Sequence, residues 1–75
     1  EEMAKTIDAR GLSCPQPVLM TLDGIKAGGA DEIIVTVDND ASKENVSRAA
    51  VSRGWTVAGI DEKNGLFNVT IRKGQ

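Results

Sequence analysis

The chain has 75 residues, one cysteine, no histidine and a formal charge of −2. One cysteine excludes an internal disulfide, the lack of histidine weighs against a zinc site, and the mild acidity weighs against a dedicated nucleic-acid binder. No apolar run approaches the ~18 residues of a membrane span, so one small domain must rest on its core, at roughly 3–5 kcal/mol of net stability.

Thr6-Ile7-Asp8-Ala9 reads as a short strand. The turn Arg10-Gly11-Leu12-Ser13 follows, and Cys14-Pro15-Gln16-Pro17 opens a helix. Proline is tolerated there because the first N–H groups of a helix have no intrahelical partner. Val18, Leu19, Leu22 and Ile25 recur at helical spacing, and Gly28-Gly29 supplies the stop. Gly24 inside this helix costs about 1 kcal/mol relative to alanine, and nothing local in the sequence calls for it.

Glu32 to Val37 is a strand, β-branched almost throughout and apolar on both faces. Asp38-Asn39-Asp40 ends it and offers an N-cap, assigned to Asp40. These residues read as turn and cap chemistry, since one short acidic run lacks the ligand count of a calcium loop. Ala41 to Arg53 is a second helix with Val46, Ala49, Ala50 and Arg53 on one side, and Gly54 stands where a C′ glycine belongs. Lys43, Arg48 and Arg53 read as a solvated face. Trp55 to Ile60 and Leu66 to Arg72 are the last two strands, with Trp55 read as a partly buried strand residue. The Asn64-Gly65 pair between these strands signals a hairpin.

The order is βαβαββ, and two helices carry too little apolar surface to cover both sides of four strands. The expected fold is α+β: a two-layer α/β sandwich with a four-stranded mixed sheet and both helices on one face. Its expected core is Ile7, Val18, Ile25, Ile33, Val35, Val37, Val46, Ala49, Val57, Phe67, Val69 and Ile71.

Cys14 is the residue with chemistry to offer. A lone cysteine is usually a small buried hydrophobe, but this one stands between a polar turn and Pro15, at the expected N-cap. Free N–H groups and the helix dipole there favour an anion, which lowers a thiol pKa. Pro15 and Pro17 donate nothing, so a sulfur at this point would accept from Gln16, and the prolines also fix the approach angle of the helix. No C-x-x-C is present for dithiol chemistry and no histidine to serve as a base. Carrying sulfur needs no cofactor and no metal, only one accessible, acidic thiol and a docking surface. Arg10, four residues before Cys14, is the supporting cation, read either as a partner of the sulfur or as a salt bridge with Asp8 or a plainly exposed charge.

Asp8 to Leu19, with its C-P-x-P core after an Arg-Gly-Leu turn, resembles the signature of the TusA/SirA/YedF sulfurtransferase-like family. Val37-Asp38-Asn39 and Ala41 to Arg48 resemble the second half of that domain in the YedF branch, making the N-terminal domain of YedF the nearest pattern. The resemblance implies that residues 1–75 form a single sulfur-carrier domain with the same two-layer sandwich. It further implies that Cys14 is the catalytic residue, accepting sulfane sulfur as a persulfide in a sulfurtransferase-type reaction. The implied partners are a donor protein such as a cysteine desulfurase and an acceptor protein, in tRNA thiolation, cofactor synthesis or selenium and sulfur metabolism. An unpaired thiol without an export signal points to the cytoplasm, and the expected state is a monomer with no membrane partner. Many relatives carry two lysines where this chain has Leu22-Asp23, so docking is expected to depend less on positive charge. The competing expectation is a non-catalytic interaction or redox-regulatory module with a structural or sensing cysteine.

Overall fold

β-Branched residues alternate their side chains across a strand, and in Glu32–Val37 (β2) that alternation separates a buried from a half-buried face. Ile33, Val35 and Val37 are fully buried, while Glu32, Ile34 and Thr36 are half-covered. The computed structural model describes residues 4–12, 16–28 and 31–74. Within them the elements are Ala4–Asp8 (β1), Gln16–Ala27 (α1), β2, Asp40–Ser52 (α2), Thr56–Lys63 (β3) and Leu66–Arg72 (β4).

The sheet order is β1-β2-β4-β3, with β1 parallel to β2, and β4 antiparallel to both β2 and β3. Both crossovers, β1–α1–β2 and β2–α2–β3, run in the same direction across the sheet. Right-handed connections therefore set α1 and α2 on the same face. The inner rows are readable in the register: Ile7, Val35 and Val69 lie side by side, as do Ile33, Ile71 and Val57. Opposite them, the outer face carries Thr36 and Asn68, whose side chains hydrogen-bond at 2.7 Å.

Most of the expected core is buried as the periodicity predicts. Val18, Ile25 and Val57 are exceptions and are only half-buried. In α1 the fully covered positions are instead Pro17, Thr21 and Gly24. Thr21 can sit there because its hydroxyl donates to the Pro17 carbonyl at 2.8 Å, so its buried oxygen is paired. Gly24 now has a reason: a Cβ at this position would come within 3.0 Å of Ile7 Cδ1 and 3.5 Å of Ile33 Cδ1. The helix gives up propensity to lie close on β1 and β2.

Three expectations at the second helix are corrected. The N-cap is Asn39, which has extended backbone and accepts from the Ser42 N–H at 2.7 Å, whereas Asp40 is already helical. Asp40 takes the favourable place of an acid in the first turn and pairs with Lys43 at 3.2 Å. Lys43 does not belong to a solvated face: its amine stands 4.8 Å above the Phe67 ring. Trp55 precedes β3 and is buried, because Gly54 (φ 83°) turns the chain so that the Trp55 N–H bonds back to the Ala50 carbonyl.

β3 is longer than its apolar run. Lys63 pairs directly with Leu66, leaving Asn64 and Gly65 as a two-residue loop with φ of 54° and 79°, the signs of a type I′ turn. The register slips between Val57 and Gly59, so Ala58 is the extra residue of a β-bulge on this edge strand.

Substitution at Gly24 tests the close approach of α1. Gly24→Ala should leave stability within about 1 kcal/mol, because the gain in helix propensity offsets a small displacement of Ile7. Gly24→Val should lose about 1–3 kcal/mol by overpacking. Urea denaturation of both variants distinguishes this from an ordinary exposed helix glycine, which either substitution would stabilise.

Candidate functional site

Parallel β1 and β2 both end where a helix begins, so the Arg10 turn, the start of α1 and the cap of α2 gather at one end of the sheet. An open cleft of about 410 Å³ lies there, lined by Asp8, Arg10, Gly11, Leu12, Asp38 and Leu66. Cys14 and Pro15, together with Ser13, fall outside the described residues, and with them the expected N-cap role of Cys14. In the sequence they join Leu12 to Gln16, one residue bordering this cleft and the other opening α1.

Gln16 is exposed at the first described residue of α1, and Pro17 follows it, fully buried. The two residues thus divide the work: Gln16 faces solvent at the helix start, and the Pro17 ring is packed in the interior. Pro17 is accordingly a structural anchor as well as a residue without an N–H to donate.

Arg10 is bound to Asp8 by a two-pronged pair. Its Nε and Nη2 donate to Oδ1 and Oδ2 of Asp8, each at 2.8 Å, and its backbone N–H donates to Oδ1 at 3.1 Å. Both side chains are more than half exposed. The side-chain bonds from Arg10, then its backbone N–H, hold the Asp8 carboxyl down to about 2 from its ordinary 3.8. Asp8 in turn raises the pKa of Arg10. The salt bridge with Asp8 is observed, and Nη1 takes no part in it, whereas a partnership of Arg10 with Cys14 falls outside the described residues.

Asp38 is a site residue that the sequence reading assigned only to turn and cap chemistry. Its Oδ2 accepts from the Gly11 N–H at 2.7 Å, across 27 positions of chain, and its Oδ1 accepts from Asn39 Nδ2 at 3.1 Å. Gly11 has φ 74°, and a Cβ there would touch nothing within 4 Å. It is glycine for its backbone conformation rather than for space. The signal that could have exposed Asp38 was its place directly after a strand parallel to β1, which brings it level with the turn that leaves β1.

A second groove, of about 430 Å³, runs beside α1 and is lined by Leu19, Leu22, Asp23, Ile25, Lys26 and Arg53. Leu19 is 48% exposed and Leu22 half-buried. Among the described residues no helix is long and apolar enough to cross a membrane.

The fold is a two-layer α/β sandwich in which a carboxylate-braced turn follows β1. The chain belongs to the Sulfurtransferase TusA family, whose model matches residues 5–73. It is 33% identical over 70 residues to a candidate sulfur carrier protein of Methanocaldococcus jannaschii, covering 92% of this chain and 93% of that one. It is 32% identical over 71 residues to the sulfur carrier protein TusA of Pseudomonas entomophila, covering 91% of this chain and 86% of that one. The crystal structure of the SirA-like protein from Desulfitobacterium hafniense superposes with a TM-score of 0.83 at 36% identity, over 95% of this chain and 99% of that chain.

Because the native state depresses the Asp8 pKa, the pair's contribution is fully present above the ordinary carboxylate value and is lost as pH falls through about 2. An NMR titration of the Asp8 carboxyl carbon should show a midpoint near that value. Arg10→Ala should return the midpoint towards 3.8, with little change in stability because the pair is exposed. A midpoint that ignores the Arg10 substitution would show the pair to be broken in solution.

Proposed function

We propose that the protein is a sulfur carrier in which Cys14 receives sulfane sulfur and passes it on. The observation that carries this reading is the family match across residues 5–73 on a chain that has a single cysteine. The two curated relatives, which carry the sulfur-carrier description over nearly their whole length, support it.

The chemistry is thiol–persulfide exchange. The Cys14 thiolate attacks the terminal sulfur of a donor persulfide and forms a new S–S bond. The donor's own S–S bond breaks, its cysteine leaves as a thiolate, and the proton stays on the transferred sulfur. Sulfur keeps its oxidation level, so the step consumes no electrons, and the same exchange in the other direction delivers it. A cysteine desulfurase fits as donor and a second protein as acceptor, both in the cytoplasm, with the carrier as a monomer and residues 1–75 as the carrier domain. Transient docking suits the described surface: exposed Gln16 and Leu19 lie along the start of α1, and the groove at Leu22 and Asp23 continues from them. With Leu22-Asp23 in place of a basic pair, screening should weaken the complexes only modestly.

The test is intact-mass analysis after incubation with a desulfurase and free cysteine. Wild type should gain the mass of one sulfur atom, removable by reductant, and Cys14→Ser should gain none while melting as wild type does. The rate of alkylation of Cys14 should inflect below the ~8.5 of a free thiol. A wild-type chain that stays unmodified, or a thiol that titrates at or above the free value, would favour the competing reading of a structural cysteine.

A further inference from the structure

We propose that Asp38 is a positioning residue for sulfur transfer: its carboxylate, through the Gly11 N–H, fixes the turn that leads to Cys14 in place on the sheet. The proposal rests on the reading of Cys14 as the sulfur-bearing residue and adds what holds its approach steady.

Two consecutive amides of the turn are held by two different carboxylates. Asp8 accepts from Arg10 and Asp38 accepts from Gly11. These holds are not equivalent. Asp8 lies two residues from Arg10, so its bonds shape the turn locally and travel with it. Asp38 belongs to the far end of β2, so only its bond ties the turn to the body of the domain. The β1–β2 ladder gives its last support at Ala9, whose N–H donates to the Thr36 carbonyl at 2.9 Å. Beyond Ala9, the Gly11–Asp38 bond and the half-buried side chain of Leu12 are what anchor the turn among the described residues.

Asp38 is itself oriented. Its other oxygen receives Asn39 Nδ2, and Asn39 uses its own oxygen to cap α2 through Ser42. One chain of three hydrogen bonds thus runs from the cap of α2 to the turn before α1. Neither oxygen of Asp38 serves a salt bridge among the described residues. A carrier must present its sulfur to two proteins in turn, and a turn held in one place lowers the ordering cost of each encounter.

Three variants separate position from charge. Asp38→Asn keeps an acceptor oxygen at the same reach and loses the charge. Asp38→Glu keeps the charge and moves the acceptor outward by a methylene. Asp38→Ala loses both. The readouts are Gly11 amide exchange by NMR, kcat/KM for sulfur transfer from a persulfidated desulfurase, and the rate of Cys14 alkylation by iodoacetamide.

In Asp38→Ala and Asp38→Glu, Gly11 exchange should quicken and transfer should slow, each by about tenfold, the scale of one charge-assisted hydrogen bond. Asp38→Asn should stay within about threefold of wild type on both, as a neutral bond in the same place allows. Alkylation, which needs no docking, should stay within about twofold throughout. Unchanged transfer in Asp38→Ala, unchanged Gly11 exchange, or Asp38→Glu outperforming Asp38→Asn would each overturn the proposal and leave the carrier reading standing. A wild-type Cys14 that takes no sulfur would overturn the carrier reading, and this proposal with it.

Discussion

Parallel pairing of β1 with β2 is the constraint on which the rest of the molecule depends. Two parallel neighbours must be joined by a crossover, and a right-handed one drops α1 onto a fixed face of the sheet. Because both strands run the same way, the chain leaves both of them at the same end. The Arg10 turn and Asp38 therefore meet there although 27 residues separate Gly11 from Asp38. The depth at which α1 lies is set by Gly24, where the helix backbone comes down on Ile7 and Ile33. Those residues belong to the two strands that carry the turn and its brace, so the packing of the core and the geometry of the site share one cause.

The features legible in the sequence were those that depend on period and on residue chemistry. A β-branched apolar run marked β2, alternation marked β4, Asn-Gly marked the hairpin, and the glycines at 28 and 54 marked the ends of the helices, where both have positive φ. Burial in α1 was less legible, because helical spacing of apolar residues favours Val18 and Ile25 as core residues while the close approach at Gly24 selects the small positions Pro17, Thr21 and Gly24. Thr21 reads as polar until its hydroxyl is seen to return to the Pro17 carbonyl. The N-cap was displaced by one residue for a similar reason. Asn39 and Asp40 are both good caps, and only the extended backbone at Asn39 decides between them. Asp38 could be recognised as a turn residue but not as a brace, since a contact across 27 positions has no local signature.

Family membership fixes the carrier class, but the charges around the turn belong to this chain. Asp8 and Arg10 cancel as a unit, Asp40 is taken by Lys43, and Asp38 is spent on backbone and amide donors. The described charges at this end of the sheet are thus engaged with one another or with backbone and amide groups. The same balance bears on partners. Under the proposed carrier role, a turn whose described charges are already paired offers a partner little charge to bind, while the exposed Leu19 and the groove at Leu22 offer apolar contact beside α1. Apolar docking is slower to steer than charge-guided docking but less selective by sign. On the proposed role, a carrier that must leave one protein for another gains from such pairing, because a strong electrostatic hold on the donor would retard its release.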